Sequence, residues 1–420
     1  MKFKNLPEEL PVETRVANAL SQTQILDIHT HLYDPAMGRM LLWGIDELLT
    51  YHYLVAESFR FFKMPYKDFF VLEKKQQAEL IWNELFIKHS PISESCRGVI
   101  TTLNMLGLDV NRRDLNSVRK WFAQRTVEQH VDEVFESANL SAAVMTNSPF
   151  DPEEIALWKK GFSRDSRFLS ALRVDPLVLE YNGVVGFLRQ QGFDVRSDLD
   201  QKTRDELMRF LHFWADTIQP LYLMVSLPPV FSLALDSDDS SILTQVVLPF
   251  CKMRGLPFAI MAGVTRSVNP HLGLAGDSLG CFSIEAIEKL CRTFPDNKFL
   301  VTALSRENQH HLCVASRKFP NLHPFGCWWF TNIPTLIDEI SNLRFELLGL
   351  SFTPQHSDAR VLDQLLYKWT HFKESLILTL GEKYSALEAS GWDVGDEEIK
   401  RDLKGLLGGE FLQFSGKTLI

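Results

Sequence analysis

The stretch Ile25-Leu26-Asp27-Ile28-His29-Thr30-His31 decides how the rest of the chain is read. An apolar run that ends in two histidines two residues apart is read as a strand. Side chains alternate faces along an extended chain, so both imidazoles leave on the same side and can share one metal ion. The pair alone is a weak motif. It gains force at the end of an apolar run near the start of an α/β chain, and a hydrogen-bonded structural pair of histidines is the alternative.

Outward from this stretch, seven more β-rich apolar runs alternate with helical patterns. They lie at 141–146, 168–173, 221–226, 257–262, 298–304, 322–328 and between 347 and 352, the first run being 25–29. Such alternation marks a parallel sheet, and eight strands with intervening helices imply an α/β fold of the (β/α)8, TIM-like kind. Several runs pass directly into polar loops, as in Thr146-Asn147-Ser148-Pro149, Arg173-Val174-Asp175-Pro176 and Ser226-Leu227-Pro228-Pro229. Those positions are carboxyl ends of barrel strands, where active sites of this fold are assembled. The long stretch at about 32–125 has helical periodicity and many aromatics. It reads as a helical insertion over the barrel mouth, because a structureless loop of that length is improbable. A C-terminal helical extension is expected at about 380–420.

The 420 residues suit one barrel of about 250 residues plus these additions, so a single domain spanning 1–420 is expected. With 45% hydrophobic and 23% charged residues the chain can bury a sizeable core. The net charge of -9, with scattered Lys and Arg, argues against nucleic acid or an anionic membrane as partner. No segment reaches the roughly 20 apolar residues of a membrane span, and residues 1–20 hold no continuous apolar stretch to act as a signal. Cys96, Cys251, Cys281, Cys291, Cys313 and Cys327 form no C-x-x-C pair, which fits reduced, mostly buried thiols and a cytoplasmic location.

A metal needs more ligands than two histidines. The eighth run is followed by His356-Ser357-Asp358-Ala359-Arg360, and closure of a barrel sets the last strand beside the first. Asp358 then joins His29 and His31 in a single-metal site with open positions, unless it merely caps a following helix. The fifth run offers Met261, a soft ligand, where a hydrolytic barrel would usually place a histidine, so a two-metal centre is not expected. Arg173, Arg266, Arg306 and Arg360 each end or follow a run, and planar guanidinium groups suit a carboxylate. In a chain of negative net charge they point to an anionic small molecule. His52-Tyr53 in the insertion and Trp328-Trp329 after the seventh run can be packing, or can wall a sugar face and handle protons.

Taken together, these residues resemble the uronate isomerases of the amidohydrolase superfamily. The resemblance runs from about Asp27 to past Trp369. It rests on Asp27-Ile28-His29-Thr30-His31-Leu32, His52-Tyr53, Ala171-Leu172-Arg173-Val174-Asp175-Pro176, Gly263-x-x-Arg266, Gly326-Cys327-Trp328-Trp329-Phe330 and Ser357-Asp358-Ala359-Arg360. It implies interconversion of D-glucuronate with D-fructuronate and of D-galacturonate with D-tagaturonate, with one divalent metal, most often Zn. It implies ligation by His29, His31 and Asp358, and substrate contacts from Arg173, Arg360, His52, Tyr53 and Trp329. Met261 and Leu54-Val55 depart from the more widespread members and place the chain nearer a divergent bacterial branch.

Chemistry alone sets the demands of such a reaction. A proton leaves C2, an enediol or enediolate forms, and a proton returns to C1, so a proton acceptor and an oxyanion stabiliser are needed. Asp358, Tyr53, Arg360 and His52 are the candidates for these tasks, with Trp328, Arg266 and Arg306 added as substrate contacts. A metal-dependent hydrolase or decarboxylase on the same barrel is a competing expectation, and a non-catalytic sugar-acid binding barrel is another. Barrels of this kind often self-associate, so a homo-oligomer is expected.

Overall fold

The structure, a computed structural model, describes residues 10–231 and 242–418. Its frame is built from β1 (Ile25–Asp27), β2 (Leu140–Asn147), β3 (Phe168–Arg173), β4 (Leu223–Leu227), β5 (Phe258–Ala262), β6 (Val264–Thr265), β7 (Ser278–Leu279), β8 (Phe299–Ala303) and β9 (Leu322–Pro324). Seven of these pair in parallel in the order β1-β2-β3-β4-β5-β8-β9, with helices between them, while β6 and β7 form a small antiparallel pair. Parallel neighbours need crossover connections, and the helices supply them.

The sheet is closed by an irregular segment where an eighth strand was expected. Thr353 bridges Phe325 and accepts from the Gly326 N–H at 2.8 Å. Further along, the Asp358 N–H donates to His29 O at 3.1 Å and the His31 N–H to Ala359 O at 2.7 Å. Residues 353–359 therefore stitch β9 to β1, as a barrel requires. The expected run at 347–352 is corrected: helix Pro334–Leu348 occupies its start, and Gly349 at φ +62° turns the chain. Pro354, which has no N–H to donate, helps keep the closing segment from forming a regular ladder.

Alternation sorts each strand between two cores. On β4, Leu223, Val225 and Leu227 pack outward with the surrounding helices, while Met224, with Tyr222 just ahead of the strand, packs inside the barrel. The same parity turns Ala171 of β3, Ala142 and Val144 of β2, and Ala259 and Met261 of β5 inward. Continued to the carboxyl ends, it points Thr146, Arg173 and Ser226 towards the barrel mouth. Phe411, fully buried on the C-terminal helix Glu410–Ser415, joins this inner cluster and meets the Tyr222 ring at 6.0 Å. Each such aromatic or aliphatic side chain, fully buried, contributes about 2 kcal/mol.

Within 32–125 the chain forms short helices, including Ile45–Leu49, His52–Ser58, Lys74–Trp82 and Glu94–Met105. The capping box of Glu73 with Gln76 starts one of them, and Ser93 caps another through the Cys96 N–H. Helix Gln364–Ala389 follows the closing segment and supplies Trp369, whose indole N–H donates to Asp27 at 2.9 Å. No helix among the described residues is long and apolar enough to cross a membrane.

Candidate active site

At the carboxyl end of β1, His29 is fully buried and His31 opens onto a cavity. Their Nε2 atoms lie 3.5 and 3.3 Å from Oδ1 of Asp358, which is itself buried on the closing segment. One ligand atom from each of the three lies within 4.8 Å of the other two. Asp27 helps set this geometry by accepting the Ser357 N–H at 3.1 Å, one residue before Asp358. Asp358 also sits at φ +53°, a left-handed conformation that disfavours most side chains and is held here by the main-chain bond to His29.

The donor set fits a metal ion. His29 Nε2 and Asp358 Oδ1 are buried polar atoms with no hydrogen-bond partner, although both face the centre of the cluster. Such orphaned atoms are costly unless something positive completes them. Burial pushes the His31 imidazole down to about 4, so at neutral pH it is uncharged with a lone pair to give. Burial alone would raise the Asp358 carboxyl, but the two adjacent imidazoles outweigh it and hold the group well below the ordinary carboxylate range. Two imidazoles and one carboxylate make a three-ligand set with room for a further ligand, the composition of a catalytic zinc-type site.

A cavity of about 820 Å³ opens from this cluster, within the range of small-molecule sites. His31 and Asp358 form one pole, Arg173 and Arg360 flank it, and Trp328, Trp329, Tyr51 and His52 line the walls. Arg173 is forked onto Asp175 at 3.0 and 3.3 Å, and Asp175 also accepts the Ser226 N–H at 3.1 Å. Arg360 is held by Nη1 bonds to Met40 O (3.0 Å) and His31 O (3.3 Å), with its guanidinium 5.2 Å from the Tyr33 ring centre. Arg266 reaches the rim paired with Asp277 at 2.5 Å, near the Trp329 ring.

Several residues stand differently from the sequence expectation. Arg306 is not brought into the cavity. It is exposed and paired with Glu339 at 2.9 Å, so we expect Arg306→Ala to leave kcat/KM within about twofold, measured by steady-state kinetics. Tyr53 packs edge-on to Tyr51 at 4.9 Å with the Lys368 ammonium 5.5 Å from its ring centre, and Tyr51 is the tyrosine that lines the cavity. Burial drives the Tyr53 phenol well above its ordinary value, so it stays protonated, able to donate a hydrogen bond but reluctant to give up its proton. His52 stands edge-on to Trp329 at 5.3 Å, and burial lowers it to about 4, leaving a neutral imidazole whose Nε2 has no partner. Met261 is buried among the interior apolar residues.

Tyr51, Ser226 and Asp277 were missed from sequence. Strand parity on β4 could have found Ser226, since it follows Met224 on the inward face; Tyr51 sits in a run of aromatics with no period to single it out.

The fold is a TIM-like α/β barrel with a His-x-His pair just after β1 and an aspartate on its closing segment. No protein-family model matches the chain, and no curated protein does. Among solved structures it is similar to a uronate isomerase from Bacillus halodurans C-125, with 49% identity and a TM-score of 0.96 over 97% of this chain and 96% of that one. It also resembles a uronate isomerase from Thermotoga maritima (14% identity, TM-score 0.75, 94% and 95% covered). A glucuronate isomerase from Caulobacter crescentus is comparable (13% identity, TM-score 0.75, 99% and 97% covered), and at such identities these two speak for the fold alone. The chain belongs to the uronate isomerase family.

Proposed function

We propose that the chain is a uronate isomerase that interconverts D-glucuronate with D-fructuronate, and D-galacturonate with D-tagaturonate, through an enediol. The observation that carries this reading is one cavity with His31 and Asp358 of the His29–His31–Asp358 cluster at its pole and two arginines, Arg173 and Arg360, beside them. A sugar acid needs both ends: a carboxylate clamp and a site that polarises the oxygens near C1 and C2. Met261 at the position where a hydrolytic barrel would carry another metal-binding histidine speaks against the hydrolase reading.

His29, His31 and Asp358 would hold one divalent ion, zinc by the composition of the donor set, and that ion supplies positive charge against developing oxyanion character. Arg173, oriented by Asp175, binds the substrate carboxylate, and Arg360 stabilises the enediolate oxygen. Asp358 is the candidate for moving the C2 proton, while neutral His52 accepts from the sugar's hydroxyls and Tyr53, expected to handle a proton itself, instead packs against Tyr51, the phenol that lines the cavity. Trp328 and Trp329 cover the sugar face and Arg266 closes the rim. Residues 32–125 and 380–420 act with the barrel as one domain, and six free cysteines support a reducing, cytoplasmic setting.

The clamp has its own test. Arg173→Met is expected to raise KM on the order of tenfold to a hundredfold with a smaller change in kcat, measured on either uronate. An unchanged KM would transfer the clamp to Arg360 or Arg266. For the reaction itself, incubation with each uronate is expected to give a ketouronate of unchanged mass by chromatography with mass detection. Loss of carbon dioxide or uptake of water would favour the decarboxylase or hydrolase reading.

A further inference from the structure

The two histidines at the metal pole are each held from behind by a hydroxyl, and the two contacts share one logic. Tyr222 Oη lies 2.8 Å from Ile28 O and 3.1 Å from His29 Nδ1. Thr146 Oγ1 lies 3.1 Å from Thr30 O and 2.9 Å from His31 Nδ1. A main-chain carbonyl can only accept, and a hydroxyl has one proton to give. Once that proton points at the carbonyl, the hydroxyl meets the imidazole with a lone pair, and the imidazole answers with N–H. Each Nδ1 therefore carries the hydrogen, and each Nε2 is left bare towards Asp358.

We propose that Tyr222 and Thr146 are positioning residues that lock His29 and His31 in the Nδ1–H form, so that both Nε2 lone pairs are presented to a metal before it arrives. The proposal rests on the reading of the cluster as a metal site and adds to it two residues that touch neither metal nor substrate through these hydroxyls. Each lock is fixed by an independent strand. Thr146 stands on β2, next to β1, while Tyr222 precedes β4 and reaches His29 through the barrel interior. Both carbonyl acceptors belong to the same 25–31 stretch as the histidines, so each hydroxyl reads the backbone and the ring together. Partners behind a ligating histidine fix its ring orientation and tautomer, and their loss weakens metal binding by about tenfold to a hundredfold.

The test uses the full chain, metal-free and zinc-loaded, as wild type and as Tyr222→Phe, Thr146→Val and Thr146→Ser. Two-bond proton–nitrogen correlation spectra of the metal-free wild type, with the rings assigned through His29→Gln and His31→Gln, are expected to show Nδ1–H for both. Zinc competition against a chromophoric chelator is expected to show affinity about 10- to 100-fold weaker in Tyr222→Phe and Thr146→Val. Thr146→Ser, which keeps the hydroxyl, should stay within about threefold of wild type. Nε2–H rings in the metal-free wild type, or wild-type affinity in Thr146→Val, would overturn the lock. The Val/Ser pair decides the matter even if Tyr222→Phe fails to fold. A wild type that shows Nδ1–H yet binds no zinc would support the lock and overturn the metal reading.

Discussion

Asp358→Asn is expected to lower kcat on the order of a thousandfold or more while leaving the protein folded. The substitution keeps the shape of the side chain and removes its charge. Asp358 Oδ1 faces both Nε2 atoms from 3.5 and 3.3 Å, so an amide there withdraws the one anionic ligand of the cluster and the candidate proton carrier together. The backbone has no reason to move. Asn is one of the few residues at ease at positive φ, so the +53° conformation survives, as does the main-chain bond to His29. Steady-state kinetics with circular dichroism and metal content would check this. A folded variant with ordinary turnover would remove Asp358 from the chemistry.

Gly326→Ala is expected to be the most disruptive single methyl in the barrel. Gly326 has φ +67°, and a Cβ there would stand 1.9 Å from Cδ2 and 2.4 Å from Nε2 of His356. That ring cannot swing aside, because it is fully buried between His29 (5.0 Å between centroids) and Phe325 (5.4 Å). Strained backbone and overpacking together should cost about 3 kcal/mol of stability. The displaced His356 would also push on His29, so zinc affinity should fall in the same variant. Denaturant unfolding and chelator competition would measure the two effects. A variant as stable as wild type would show that this corner repacks freely.

Much of the frame could be read from the residues because its signals are local. Seven of the eight runs became strands, since buried parallel strands are short apolar stretches bounded by polar or small residues. The eighth was misplaced, because helix Pro334–Leu348 carries the same apolar density and Pro354 leaves the closing segment without a regular ladder. At the site, His29, His31 and Asp358 were legible because metal ligands have few alternatives in type and barrel closure sets their ends together. Arginines were less so. Any strand-end guanidinium looks like a clamp in sequence, and what separates Arg173 from Arg306 is a neighbour: Asp175 holds one inside, Glu339 holds the other in solvent. Tyr222 was invisible as a site residue, since a tyrosine beginning an apolar run looks like core until its hydroxyl is seen against Ile28 and His29.

The most direct test of the account is a proton NMR time course of the zinc-loaded protein with D-glucuronate, and separately D-galacturonate, in deuterated buffer. The account predicts a ketouronate in each active reaction, no one-carbon or hydrolytic product, and exchange confined to C1 and C2 to the extent that the moved proton meets solvent. The faster sugar would give the preference at C4. Two unchanged sugars, or a product shortened by one carbon, would contradict it.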